Sequence, residues 1–348
     1  MALAGIPLLQ PLYPGDVDQG DPFILEVPAP ANARFRFYVY TTGEDPTGGR
    51  AFPVYGSDDL ATWERLPDAL EVGAIAAHWA PCVTYVLDLD LPFVMLYSRA
   101  SGLGGQAHIG HVIRRAHSAT PEGPFVDSGH ELTADLEFAI DPDIYRKPDG
   151  SLWMAYARDF DLDEPYGTGI VEAPISADLT RLTGPARILA RPRYDWHVYD
   201  PARAMPWKTI PGVDWAAHTV RWHTVEAPVG GLTAPGGGQV YLYSGGRFWG
   251  YYAVGSLVEN GQGELIDVTD GERGFVIQPR PEDGFYAPGH CSWLRLGPDE
   301  EYLMLHARFG SQDAKRQMCL ARLRWTEDGL PVATNGSQVA PGSVFSRD

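Results

Sequence analysis

Cysteine is scarce. Cys82, Cys291 and Cys319 stand far apart among 348 residues with no C-x-x-C pair, which argues against a disulfide scaffold and a thiolate zinc site. No apolar run approaches the roughly 18 residues that a membrane-spanning helix needs. Basic residues are few, 27 against 45 acidic ones, and a net charge of −18 disfavours nucleic-acid and anionic-lipid partners. The first ten residues lack the basic n-region and long apolar h-region of a signal peptide, so the expected location is cytoplasmic. Long stretches with a 3.6-residue apolar period are missing too, which removes helical bundles.

What remains is a chain rich in punctuation, with 39 glycines, 30 prolines and 11% aromatic residues. Short β-forming runs alternate with turn signals, the pattern of an all-β protein. Five of these runs are alike: Phe37-Tyr38-Val39-Tyr40, Val94-Met95-Leu96-Tyr97, Trp153-Met154-Ala155-Tyr156, Val240-Tyr241-Leu242-Tyr243 and Leu303-Met304-Leu305-His306. Upstream of each lies a dipeptide ending in proline or histidine: Asp21-Pro22, Ala80-Pro81, Asp141-Pro142, Ala227-Pro228 and Gly289-His290. Their second residues are spaced by 59, 61, 86 and 62 positions. A period near 60 with three or four strands per unit fits propeller blades better than the shorter solenoid repeats. The reading is therefore one domain over residues 1–348, a five-bladed β-propeller of four-stranded antiparallel blades around a central channel. The long step implies an insertion at about 191–223, holding Trp196, Trp207, Trp215, Trp222, His197, His218 and His223. It reads either as a loop packing its own rings on the surface or as a wall of the substrate pocket, since aromatic faces stack on sugars.

The first strand of a propeller blade is innermost, so the residues opening each repeat converge at one mouth of the channel. These are Asp21, Trp79, Asp141, Glu226 and His290. Taken singly each has a plain explanation: Asp before Pro is a common turn former, Trp79 could be core, Glu226 a surface charge and His290 a buried structural histidine. Their common phase in the repeat favours a site. Carboxylates gathered closely cannot all ionise together, so one should bind its proton more tightly. Glycoside hydrolysis has that requirement, with one carboxylic acid to protonate the leaving oxygen and one ionised carboxylate as base or nucleophile.

At these residues the chain resembles glycoside hydrolase family 43, whose members are five-bladed propellers acting mostly on arabinofuranosides and xylosides. Gly20-Asp21-Pro22-Phe23-Ile24, Trp79-Ala80-Pro81, Ala139-Ile140-Asp141-Pro142-Asp143-Ile144-Tyr145, Val225-Glu226-Ala227-Pro228 and Pro288-Gly289-His290 are similar to the family's five blade motifs, in order. The resemblance implies Asp21 as general base, Asp141 as modulator of the acid's pKa, Glu226 as general acid, and inversion at the anomeric carbon. Arg316 is similar to an arginine that binds the glycone in some members, and Trp79 and His290 are taken with it as substrate contacts. Glu172, in a second Glu-Ala-Pro, rivals Glu226 but falls in third-strand phase, away from the axis. Asp18 competes with Asp21 and Asp143 with Asp141, while Cys82 and Cys291 adjoin the motifs.

The function expected is an exo-acting, inverting glycosidase that releases terminal α-L-arabinofuranosyl or β-D-xylosyl units from plant-cell-wall oligosaccharides. The alternatives are an endo-arabinanase or another propeller glycosidase, and a non-catalytic sugar-binding propeller. The Asn-Asp-Pro-Asn-Gly and Arg-Asp-Pro motifs of related fructosidases are absent, since Gly20 precedes Asp21 and Ile140 precedes Asp141. No cofactor is required. A structural ion such as calcium in the channel, reached by His290 through water, is compatible with the reading.

Overall fold

The computed structural model describes residues 5–29, 31–45, 49–72, 77–100, 110–205 and 219–336. Among them, five antiparallel sheets follow one another along the chain as the five blades of a propeller. Their innermost strands are Gly20–Glu26, His78–Tyr85, Ala139–Arg146, Val225–Thr233 and Phe285–Gly297. The second strands, Phe37–Thr42, Phe93–Ala100, Leu152–Phe160, Gln239–Gly246 and Glu300–Phe309, are the aromatic-ended runs of the repeat and are largely buried. Two short 3-10 turns, Asp195–His197 and Pro281–Asp283, are the helical content of the described residues. Among the described residues no helix is long and apolar enough to cross a membrane.

Burial on both faces explains the composition of the second strands. Each blade packs against two neighbours, so these strands carry apolar side chains on both sides rather than in alternation. Tyr38 and Tyr40 face one inter-blade cluster with Met95 and Tyr97, while Phe37 and Val39 face another with Met304 and Leu320. The second of these clusters joins blade I to blade V and so closes the ring.

Closure is reinforced at two levels. Near the axis, Ser292 of blade V accepts the Ile24 amide at 2.9 Å and donates to the Pro22 carbonyl at 3.0 Å, both in blade I. At the periphery, the segment before blade I runs back along the third strand of blade V, Gln317–Trp325. The amides of Leu9 and Leu12 donate to the carbonyls of Leu320 and Met318, and that of Gln19 to Arg316.

The insertion between blades III and IV is more ordered than the sequence implied. Val198–Ala204 and Thr219–His223 pair antiparallel, and His223 joins Gly167 of the third strand of blade III in a parallel bridge. Trp207, Trp215 and His218 lie outside the described residues.

Every innermost strand carries the same defect. The ladder slips at Gly20/Phe23, Trp79/Cys82, Ile140/Asp143, Glu226/Val229 and Gly289/Ser292. Inside each slip one non-glycine residue has positive φ: Asp21 at 54°, Ala80 at 49°, Asp141 at 58°, Ala227 at 51° and His290 at 48°. Left-handed backbone is costly for such residues. A bulge of this kind turns its amide out of the ladder, and each amide finds an acceptor on another blade. Ala80 donates to Thr42 Oγ1 at 2.8 Å, Asp141 to Ser98 Oγ at 3.0 Å and His290 to Ser244 Oγ at 2.8 Å. Asp21 donates to His306 Nδ1 at 3.1 Å. In all four the acceptor sits near the end of the second strand of the preceding blade, counting blade V as preceding blade I. Leaving a buried amide unpaired costs about 1–3 kcal/mol. Ser98→Ala should lower stability by that amount with the sheet content intact, read as a reduced Tm in thermal melts followed by circular dichroism. An unchanged Tm would remove these inter-blade bonds as a source of stability.

Candidate active site

The bulges also resolve the phase of the repeat. The structurally equivalent dipeptides are Asp21-Pro22, Ala80-Pro81, Asp141-Pro142, Ala227-Pro228 and, in blade V, His290-Cys291, not Gly289-His290. The absence of proline in the fifth blade hid a one-residue shift. Asp21, Asp141 and His290 therefore belong to the ring of positive-φ residues, whereas Trp79 and Glu226 stand one position earlier. That earlier ring reads Gly20, Trp79, Ile140, Glu226 and Gly289. Its two glycines leave space: a Cβ on Gly20 would lie 2.0 Å from Arg316 Cζ, and one on Gly289 would lie 2.3 Å from Tyr252 Cε1. Two adjacent rings, rather than one set of equivalent positions, supply the site.

All six residues singled out in the sequence, Asp21, Trp79, Asp141, Glu226, His290 and Arg316, line one cavity of about 250 Å³ at the channel mouth. Trp79 stacks on His111 with ring centroids 3.9 Å apart and presents the rest of its indole to the cavity. The insertion contributes a wall through Tyr199, Arg203, Met205 and Trp222. Trp196 turns away and packs on Tyr243 and Phe275.

Asp21 sits among basic groups. Its Oδ1 accepts from Arg316 Nη1 at 3.0 Å and lies 3.2 Å from His290 Nδ1 and 3.6 Å from His306 Nδ1. Burial pushes its pKa up, but Arg316, with His290 beside it and a hydrogen bond from Thr42, more than reverses this, holding Asp21 ionised far below the usual range. Arg316 is itself fixed by Asp18, whose Oδ2 accepts from Nη2 at 2.6 Å, and by the ring of Phe248, 5.2 Å from its Cζ. Asp18 is thus the partner of Arg316 and not a rival of Asp21.

Glu226 has the opposite surroundings. Its Oε1 accepts from the Tyr252 hydroxyl at 2.7 Å. Burial raises its pKa to about 7, with the negative charge of Asp21 adding to the rise and Tyr252 and Arg316 opposing it. Asp141 is also raised, by burial and by the charges of Glu226 and Asp21. The buried pair Asp141 and Glu226 resists joint ionisation, and its proton belongs to the pair. The site therefore offers an ionised carboxylate on blade I and a proton shared by the carboxyl groups of blades III and IV.

Asp141 does a second job. Its Oδ2 accepts the Ala227 amide at 3.0 Å. The other four positive-φ amides use the second strand of the preceding blade, but here that strand offers Ala157, opposite Ile140, and no acceptor. The missing hydroxyl leaves the Ala227 amide to Asp141, which ties the modulator to the residue next to Glu226.

The rivals fall away on geometry. Glu172 is buried on the third strand of blade III, bonded to Lys147 at 2.6 Å, Tyr241 at 2.9 Å, Tyr145 and Arg187. Asp143 accepts the Gly230 amide at 2.8 Å, and its carboxyl is pushed by burial to about 7, below the cavity on the axis. Cys291 lines that lower space, Cys82 does not, and neither lines the cavity itself. Burial pushes the Cys291 thiol up to about 12, so it is no nucleophile. No group of three or more His, Cys, Asp or Glu among the described residues is arranged to hold a metal ion, and His290 has Asp21 as its partner. Sequence reasoning missed Tyr252 and His306. Tyr252 opens a blade strand and His306 lies within one, like many other rings, and only His306 carried a signal, as the one histidine closing a second-strand run of the repeat.

Ala157→Ser should supply the missing acceptor and free Asp141 from the Ala227 amide. We expect a protein of unchanged or higher Tm whose turnover falls about tenfold, equivalent to about 1.4 kcal/mol in the barrier. Full turnover in a folded Ala157→Ser protein would show that the Ala227 bond does not matter to Asp141.

Known structures share the fold. The crystal structure of a thermostable family-43 glycoside hydrolase superposes with a TM-score of 0.69 at 25% identity, over 94% of this chain and 96% of that one. An endo-1,4-β-xylanase from Bacteroides thetaiotaomicron gives a TM-score of 0.66 at 20% identity, over 93% and 96% of the two chains. An α-L-arabinofuranosidase from Lactobacillus brevis gives 0.64 at 17%, over 93% and 95%. No curated protein matches the sequence. The model of glycosyl hydrolases family 43 matches residues 15–331, nearly the whole propeller, and the chain belongs to that glycoside hydrolase family.

Proposed function

We infer that the protein is an inverting, exo-acting glycosidase that removes terminal α-L-arabinofuranosyl or β-D-xylosyl units from plant-cell-wall oligosaccharides. The observation that carries this reading is the opposed state of two carboxylates facing one cavity. Arg316 keeps Asp21 ionised, and burial lets Glu226 hold its proton to about 7. In this reading Asp21 takes a proton from a water as that water attacks the anomeric carbon. Glu226 gives its proton to the glycosidic oxygen as the bond to it breaks. Asp141 shares the buried proton with Glu226 and anchors the next residue. Trp79, His290 and Arg316 hold the departing sugar.

Placement of the acid also orients the substrate. The Tyr199 hydroxyl is raised to about 12 by burial first, with Arg203 lowering it and Glu226 raising it, so the insertion lies within electrostatic reach of the acid. The leaving group then runs toward Tyr199, Arg203 and Trp222. A cavity of about 250 Å³ is small for a ligand cleft. That supports binding of one terminal sugar over passage of a polymer, and with it an exo mode on short oligosaccharides.

Two measurements test this. With a panel of aryl pentosides and arabino- and xylo-oligosaccharides, proton NMR of a fresh hydrolysate should show the first-formed pentose with inverted anomeric configuration. A retained anomer would make Asp21 a nucleophile, products of mid-chain cleavage would make the enzyme endo-acting, and no release from any pentoside would leave a binding module. The pH profile provides the second test. Glu226 must be protonated to act, so kcat/KM should fall as pH rises through about 7. Asp21 must be ionised, and its depressed pKa keeps the acid limb well below the usual carboxylate range. Glu226→Gln should abolish the alkaline limb and slow poor leaving groups far more than activated aryl ones. Equal losses on both would take the acid role from Glu226.

A further inference from the structure

Four of the five positive-φ amides are satisfied by an oxygen; that of Asp21 is satisfied by an imidazole. His306 is fully buried at the second strand of blade V, and its Nδ1 accepts the Asp21 amide at 3.1 Å. A ring nitrogen that accepts from a backbone N–H carries no proton, so this bond assigns the proton to Nε2 and makes the ring neutral. Nε2 has no hydrogen-bond partner among the described residues. The charged groups around it are Arg316, Asp21, His290 and Arg308; burial and the three cationic or ionisable basic neighbours oppose protonation, and Asp21 alone favours it. The flat face of the ring lies parallel to Tyr252, with centroids 5.7 Å apart and an interplanar angle of 1°. Tyr252 in turn donates to Glu226.

One side chain therefore supports both ends of the site. A serine or threonine, which suffices at three of the other junctions, satisfies an amide but is too short to back Tyr252. We propose that His306, as a neutral imidazole, is a positioning residue that fixes Asp21 through its backbone amide and Glu226 through Tyr252. The assignment of effects on catalysis rests on the reading of Asp21 as base and Glu226 as acid. The geometry itself can be tested without it.

Asparagine places Oδ1 where His306 has Nδ1 and keeps the acceptor, whereas leucine fills similar space and offers none. In His306→Leu we expect kcat on a pentoside to fall about a hundredfold with KM changed by less than about threefold. His306→Asn should recover at least about tenfold of that loss. Hydrogen exchange at the Asp21 amide, followed by NMR on the full-length protein, should show protection in the wild type and in His306→Asn and its loss in His306→Leu. Equal activity losses in the two variants despite matched melting temperatures, or a loss confined to KM, would overturn the positioning role. Retained protection in His306→Leu would overturn the hydrogen bond on which it rests. If the wild type cleaves no pentoside, the functional reading fails, and the exchange measurement still decides whether His306 holds Asp21.

Discussion

The site depends on a backbone constraint before it depends on any carboxylate. Each innermost strand is forced into a left-handed residue at its bulge, and four of those five residues precede proline. The bulge swings an amide out of its own sheet and into the seam between blades, where a buried donor must be paired. The acceptors come from the neighbouring blade, so the blades are registered to one another at the level of single hydrogen bonds. The carboxylates of the candidate site grow from the same residues or the ones before them. Their positions are thus set by the bonds that hold the propeller together.

On that frame the protein separates two chemically identical groups by their neighbours. Asp21 and Glu226 are both buried, and burial alone would keep both protonated. Arg316 meets Asp21 at blade I and, with His290 and Thr42 beside it, reverses the effect there, while Tyr252 only softens it at blade IV. Arg316 reaches Asp21 only because Gly20 lacks a side chain, and Tyr252 packs against Gly289 for the same reason. The two glycines in the outer ring are as much a part of the electrostatics as the charges.

Much of this was legible in the sequence, and the limits were physical. Proline after the bulge residue marks blades I to IV and revealed the repeat; blade V, with Cys291 there, lost its marker and was set one residue out of phase. The aromatic second strands betrayed the number of blades because burial on both faces leaves a continuous apolar run. The insertion's paired strands were not visible, since Val198–Ala204 and Thr219–His223 lack strong alternation. Tyr252 and His306 could not be distinguished from core rings, because their roles arise from contacts between blades some 50 and 285 residues apart in the chain. Arg316 was reached through resemblance alone. Its pairing with Asp18 and Asp21 spans nearly the full length of the sequence.

The seam between blades V and I gathers unusual responsibility. Each blade comes from one stretch of the chain, and among the described residues the two ends share no strand, only the single bridge of Leu8 to Leu320. The ring is shut by side-chain packing, by Ser292 at the axis and by the segment from Leu8 to Gln19 laid along blade V. Arg316, His290 and His306 stand on one bank of this seam and Asp21 on the other. A small parting of the two banks separates Asp21 from its ion-pair partner Arg316, from His290 and from the acceptor of its amide, His306, while leaving every sheet whole. Heat or denaturant should therefore extinguish activity before it disturbs the β-sheet signal, and the molecule's working lifetime is set by the strength of one latch and not by the stability of its blades.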